Sequence, residues 1–359
     1  MTVLWEAARY AGASARVHAL WARLIPTPLW AELLATPDVA GVTAVLRQSW
    51  YGEALRDLPA AQVNGVQLER TLTRHWVAAA RRPTTLLQGA SRALLDWYGR
   101  RWELNNLKTI LRARHHHAAP EQFLPALIPL DGISHLPWST LAAVGSITEL
   151  VERLQQTWYG KVLRPALEEY RRQQSVFVLE AALDLAYYRQ LRNCVTALHG
   201  RDRREADHLI GFWIDAQNLL WAYRYRLYAH LSPEEILNYT LHHHLRVNAT
   251  VVRAIALGAP LLEMAGQLWG RQLPELASLA DLTERDALPK LELLLWRHRF
   301  ARARKIQTTA ALHLGAVLAY EVLLESEVRD LITIIEGKAF KRTGAQIQPY
   351  LIGMRGEPC

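Results

Sequence analysis

Three twelve-residue segments of this chain stand at one fixed interval, and that interval constrains the fold more than any local propensity does. They are Glu103-Leu-Asn-Asn106-Leu-Lys-Thr-Ile-Leu-Arg-Ala-Arg114, Asp215-Ala-Gln-Asn218-Leu-Leu-Trp-Ala-Tyr-Arg-Tyr-Arg226 and Glu327-Val-Arg-Asp330-Leu-Ile-Thr-Ile-Ile-Glu-Gly-Lys338. The leading acids follow one another at 112 residues in both steps, with no gap. A repeat of that length is a whole helical bundle rather than a two-helix hairpin.

Each copy has an acid, Leu four residues on, an apolar residue at the seventh position and a base at the eleventh. Eleven residues of helix turn through about 1100°, so these positions share one narrow stripe. Glu103, Leu107, Ile110 and Arg114 therefore lie on one face, as do Asp215, Leu219, Ala222 and Arg226, and Glu327, Leu331, Ile334 and Lys338. The acid and base of one stripe are about 16 Å apart and cannot pair with each other, so their partners must come from other helices. An ionised group on an apolar stripe needs such a partner, and we expect salt bridging or capping there rather than catalysis.

Further matches flank the stripes. Leu46-Arg-Gln-Ser-Trp50-Tyr51-Gly52 resembles Leu154-Gln-Gln-Thr-Trp158-Tyr159-Gly160, with a fainter copy at Gln267-Leu-Trp269-Gly270. Their rings are expected to pack in equivalent cores. Ala119-Pro120-Glu121-Gln122 resembles Ser232-Pro233-Glu234-Glu235, where Ser at N-cap, Pro at N1 and Glu at N3 make a capped helix start, and the third copy reaches that point at 344–346. We therefore expect an all-α chain of three bundles, 1–116, 117–228 and 229–359, the last with a short tail. Pro125, Pro129 and Pro137 forbid one continuous helix from Phe123 to Pro137.

The remaining chemistry is sparse. No phosphate-cradling loop, dinucleotide fingerprint, H-E-x-x-H, nucleophile elbow or C-x-x-C is present, so no catalytic, cofactor or metal residues are assigned. Two cysteines, Cys194 and Cys359, suit a reducing compartment. His115–His117 and His242–His244 cannot each surround one ion from a helix, because consecutive side chains point about 100° apart. The longest uncharged run, 132–148, is too polar to span a membrane.

The net charge is +8, from 36 arginines and 6 lysines against 34 acids. Such a balance favours an anionic partner without choosing one. The cluster Arg297, Arg299, Arg302, Arg304 and Lys305 spreads charge round more than one helix face, and we read it as solvated surface. A basic helical RNA-binding protein is the alternative reading, although single-base readers use repeats of about 35 residues.

At the recurrent acid-x-x-Asn-Leu-x-x-x-x-Arg helix, which stands here as Glu103 to Arg112 and Asp215 to Arg224, the chain resembles a known family. It is the family of the C subunit of prokaryotic, and the d subunit of eukaryotic, rotary A- and V-type ATPases. The ending Glu327 to Lys338 resembles the family's last repeat, with Asp330 in place of Asn and Glu336 in place of Arg. The resemblance implies a funnel of three bundles round a pseudo-threefold axis and no catalytic role. It further implies a seat on the proteolipid ring at the cytoplasmic face, contact with the D and F subunits of the central shaft, torque transmission coupling ATP turnover to H+ or Na+ transport, no nucleic acid, and membrane association through the ring alone.

Overall fold

A computed structural model describes residues 2–58, 64–130, 132–242, 246–309 and 312–353, with the backbone alone for 2–9. His243, His244 and the tail from Met354 lie outside the described residues. The chain is all-helical, with no strand among the described residues. Its nine longest helices are α1 (Thr2–Trp21), α2 (Gly65–Thr84), α3 (Gly89–Gly99), α4 (Arg101–His115), α5 (Trp158–Gln173), α6 (Phe177–Thr196), α7 (Phe212–Leu227), α8 (Glu284–Thr308) and α9 (Leu314–Ala339). Among the described residues no helix is long and apolar enough to cross a membrane.

Helix starts follow local chemistry. Ser232 Oγ accepts from Glu235 N while Glu235 Oε2 accepts from Ser232 N at 2.8 Å, and Thr343 and Gln346 exchange the same pair of bonds. At the first copy Ala119 has no side-chain oxygen, so only Gln122 reaches back, accepting from the Ala119 N–H at 3.0 Å. The expected break is present: Pro120–Phe123 is a single α-turn, Leu124–Ala126 a 3-10 turn, and the next helix begins at Trp138.

The two Trp-Tyr-Gly segments open alike, with Ser49 Oγ accepting from Tyr51 N and Thr157 Oγ1 from Gly160 N. A Cβ on Gly52 or Gly160 would lie 2.2 Å from a backbone oxygen, of Arg47 or Leu154, so no larger residue fits these turns.

The last of the long helices is the most deeply placed. Every residue from Leu314 to Val328 of α9 is buried, the signature of a helix covered on all sides. It packs on α8, its neighbour in sequence, but also on α1 and α2 from the start of the chain. The larger apolar core accordingly joins residues of α1 to α6 with α9. A second core gathers α7, α8 and the short helices between them.

Candidate functional site

The helices α4, α7 and α9 carry the three motif segments, and their stripe leucines Leu107, Leu219 and Leu331 are completely buried. The acids find neutral donors rather than the salt bridges expected from sequence. Glu103 Oε2 accepts from the Tyr159 hydroxyl at 2.5 Å. Glu327 accepts from the Tyr51 hydroxyl at 2.8 Å and from the Ile25 N–H at 2.7 Å, and Asp215 accepts from the Val247 N–H at 3.0 Å. Burial, opposed by these bonds, pushes Asp215 up to about 6 and Glu327 up to about 7. The tyrosines read as core rings are thus also the acids' partners. Two matching motifs were visible in sequence, but not that they bond to each other.

Three residues after each acid, a buried side chain holds backbone further along the chain. Asn106 Oδ1 accepts from Ile128 N at 2.7 Å and its Nδ2 donates to Ile128 O at 2.8 Å. Asn218 accepts from Leu241 N and donates to Leu241 O and Val247 O. Asp330 meets two donors, Ile352 N at 2.7 Å and Gly353 N at 2.8 Å. A carboxylate accepts only, whereas an amide both gives and receives. The change to Asp in the third copy therefore matches what its loop presents.

The terminal bases also bond to backbone. Arg114 donates to Val144 O at 3.0 Å, Arg226 to Ile255 O at 2.9 Å, and Lys338 to Leu34 O at 2.8 Å. Arg226 also pairs with Glu284. Nine residues after their acids, Arg112 grips Glu180 through two bonds, 2.5 and 2.8 Å, and Arg224 pairs with Glu292 at 2.5 Å. At the corresponding place in α9 stands Glu336, and it meets Glu69, whose carboxyl is raised by burial and by that like charge.

A buried charge cluster lies between these helices, and it overturns one expectation. Arg299, read from sequence as solvated, is 1% exposed. Its guanidinium donates to Leu209 O at 3.1 Å and the Tyr98 hydroxyl at 2.7 Å, and lies 3.3 Å from Glu325. The Leu209 carbonyl belongs to a π-helical turn, Asp207–Gly211, just ahead of α7. Arg101 and Arg329 also approach Glu325, at 3.9 and 3.5 Å. Burial raises the Glu325 carboxyl, but the three guanidiniums outweigh it and hold it at about 2. Of the first histidine triplet, His115 closes α4 and His117 takes a left-handed backbone with φ 53°.

This cluster borders a cavity of about 540 Å³. Arg101, Trp213 and Glu325, each two residues before its acid, line it together with Asn105, Gln217 and Arg329, each two residues after. The 112-residue interval, extended two places either way, would have named all six. Their unlike chemistry hid the match.

An all-helical scaffold with three like helices converging on one cavity is what the fold and this site define. The chain belongs to the ATP synthase (C/AC39) subunit family, whose model matches residues 13–350. It is therefore a subunit of a rotary ATPase of the A/V type, structural rather than catalytic. It is similar to the C subunit of the A-type ATP synthase of Methanosarcina mazei, 24% identical over 96% of this chain and 92% of the relative. The same protein of Methanocaldococcus jannaschii is 22% identical over 97% and 88%, and that of Methanococcoides burtonii 25% identical over 93% and 91%.

Proposed function

We propose that this chain is the central-stalk adaptor of its rotary ATPase. It sits on the proteolipid ring at the cytoplasmic face, receives the lower end of the shaft formed with the D and F subunits, and passes torque between ATP turnover and H+ or Na+ transport. In this reading 1–116, 117–228 and 229–359 are three bundles round a pseudo-threefold axis, forming a funnel whose mouth is the cavity.

The cavity carries the proposal, because α4, α7 and α9 each supply it with residues two places before and two places after the acid. A torque coupler also needs stiffness. The repeated anchors supply it, since buried hydrogen bonds that are fully satisfied rigidify a unique packing. Lys338 to Leu34 and Glu327 to Tyr51 fasten the last long helix to the start of the chain.

The test is purification of the tagged full-length chain from its own membranes in mild detergent at moderate salt. Proteolipid and the D and F subunits should co-purify. Their absence, or recovery of RNA that is lost as salt rises, would overturn the reading.

A further inference from the structure

One face of the fold carries a basic surplus that none of the repeated anchors uses. It joins the short helix Gly200–Ala206, the π-helical turn Asp207–Gly211 and the last turns of α8. Arg201 lies 4.0 Å from one oxygen of Glu205, the other Glu205 oxygen lies 4.0 Å from His208, and Arg302 donates to His208 Nδ1 at 2.5 Å. These four side chains form one connected surface. Arg204 and Lys305, each three residues past an arginine of that surface on the same helix, extend it. Arg201, Arg204, His208 and Lys305 are exposed, and Arg302 is half-buried.

The surplus stands when every acid of the face is counted. Its acids are Asp202, Glu205 and Asp207, against the bases Arg192, Arg201, Arg203, Arg204, Arg302 and Lys305. Asp207 is gripped by Arg192 and, at 2.7 Å, by Arg203. Asp202 turns inward, accepting from the Tyr10 hydroxyl and from Leu314 N at 3.3 Å. Among the described residues Arg204, Arg302 and Lys305 pair with no acid. The fringe adds one charge of each sign, Arg246 beside His208 and Glu275 beside His298.

The rest of the face narrows the partner. Leu312, 47% exposed in the turn between α8 and α9, directly precedes His313, which lies within reach of Arg201. No exposed Phe, Tyr or Trp stands among the described residues of the face, whereas single-stranded nucleic acid stacks on such rings. Arginine presents a planar fork to phosphate, and an aliphatic side chain beside basic ones suits the boundary between headgroups and acyl chains. The face also stands clear of the cavity given to the shaft. Arg302 and Lys305 follow the cavity residue Trp296 by six and nine residues, about 9 and 13 Å along α8.

We propose that this face binds anionic phospholipid headgroups, giving the chain a membrane contact of its own beside the one made through the ring. The proposal rests on the adaptor reading, which brings the chain to a membrane surface, and it adds an orientation, with the turn between α8 and α9 toward the lipid. An anionic leaflet attracts basic side chains that come within a Debye length of it, about 10 Å.

The test is sedimentation of the full-length chain with vesicles of phosphatidylcholine alone, or of phosphatidylcholine with about one third phosphatidylglycerol. At about 50 mM salt the chain should bind the anionic vesicles and not the neutral ones, and it should be released near about 500 mM. Combining Arg201→Gln, Arg204→Gln and Lys305→Gln should weaken binding about a hundredfold, roughly fivefold for each charge. The three side chains are exposed, so the melting temperature should not move. Leu312→Ser should weaken binding severalfold further. Lys290→Gln with Lys341→Gln and Arg342→Gln removes the same charge from exposed positions elsewhere and should cost little.

No binding to anionic vesicles at low salt would overturn the proposal, and so would equal losses in the two triple variants, which would reduce the effect to net charge. Displacement of the vesicles by an equal charge of RNA would assign the face to nucleic acid and overturn it as well. The vesicles hold no proteolipid, so failure here strikes the lipid face alone and leaves the adaptor reading to its own co-purification test.

Discussion

The Tyr51 hydroxyl donates to Glu327 Oε1 at 2.8 Å across 276 residues of chain, and the Tyr159 hydroxyl makes the matching bond to Glu103 at 2.5 Å across 56. The two bonds differ in surroundings, because Glu327 is 6% exposed and Glu103 is only half-buried. Tyr51→Phe should therefore destabilise the chain by about 1–3 kcal/mol, the cost of an abandoned buried acceptor. Tyr159→Phe should cost about 1 kcal/mol or less, since water can reach Glu103. Denaturant midpoints of the two variants give the comparison, and equal losses would contradict the burial argument.

Glu327 also sets a pH dependence. Its carboxyl is pushed from the ordinary carboxylate range up to about 7 by burial, so the folded chain holds this proton more tightly than the unfolded chain does. The associated stability is fully present below the unfolded value near 4.5 and is lost as pH rises through about 7. Asp215 and Asp330, each raised to about 6, act in the same direction. As pH rises from about 5 to about 8, across that window, Glu327→Gln should lose less stability than the unmodified chain. Parallel stability profiles would show that this carboxyl does not titrate there.

The anchors three residues past each acid should tolerate only their own chemistry. Asp330→Asn turns an amide donor toward Ile352 N or Gly353 N, and is expected to cost about 1–3 kcal/mol as an unsatisfied buried group. Asn106→Asp sets a carboxylate against Ile128 O and should cost at least as much. Urea unfolding of both variants is the measurement, and a neutral Asp330→Asn would mean that its loop adapts.

Glu336 faces Glu69 where the other two copies hold Arg112 with Glu180 and Arg224 with Glu292. Replacing Glu336 with Arg should remove a repulsion and add a surface pair, raising stability by about 0.5 kcal/mol at low salt. The gain should shrink in about 1 M salt, where such charges are screened. A salt-independent change would point to packing instead.

Much of this was legible in the residues alone. Periodicity identified the stripe leucines, because an apolar face that must be buried repeats with the helix turn. The turn at Ser232 and the break across Pro125 and Pro129 were legible too, since capping and proline chemistry act within a few residues. The Arg299 hub was not: spacing along α8 looked like solvated surface, and the acceptors Leu209 O, Tyr98 and Glu325 come from three other parts of the chain. The six cavity residues share an interval but not a chemistry, so no common residue type marks them.

Helices, caps, breaks, the stripe and its interval depend on neighbours along the chain, and the order of residues was enough to specify them. What the buried charges meet was left to the packing of distant segments. The acids take hydroxyl and backbone donors rather than bases, α9 packs against helices from the start of the chain, and three arginines share one carboxylate. A buried polar group must be satisfied by whatever the fold brings within about 3 Å, and that neighbour is a property of packing rather than of position along the chain.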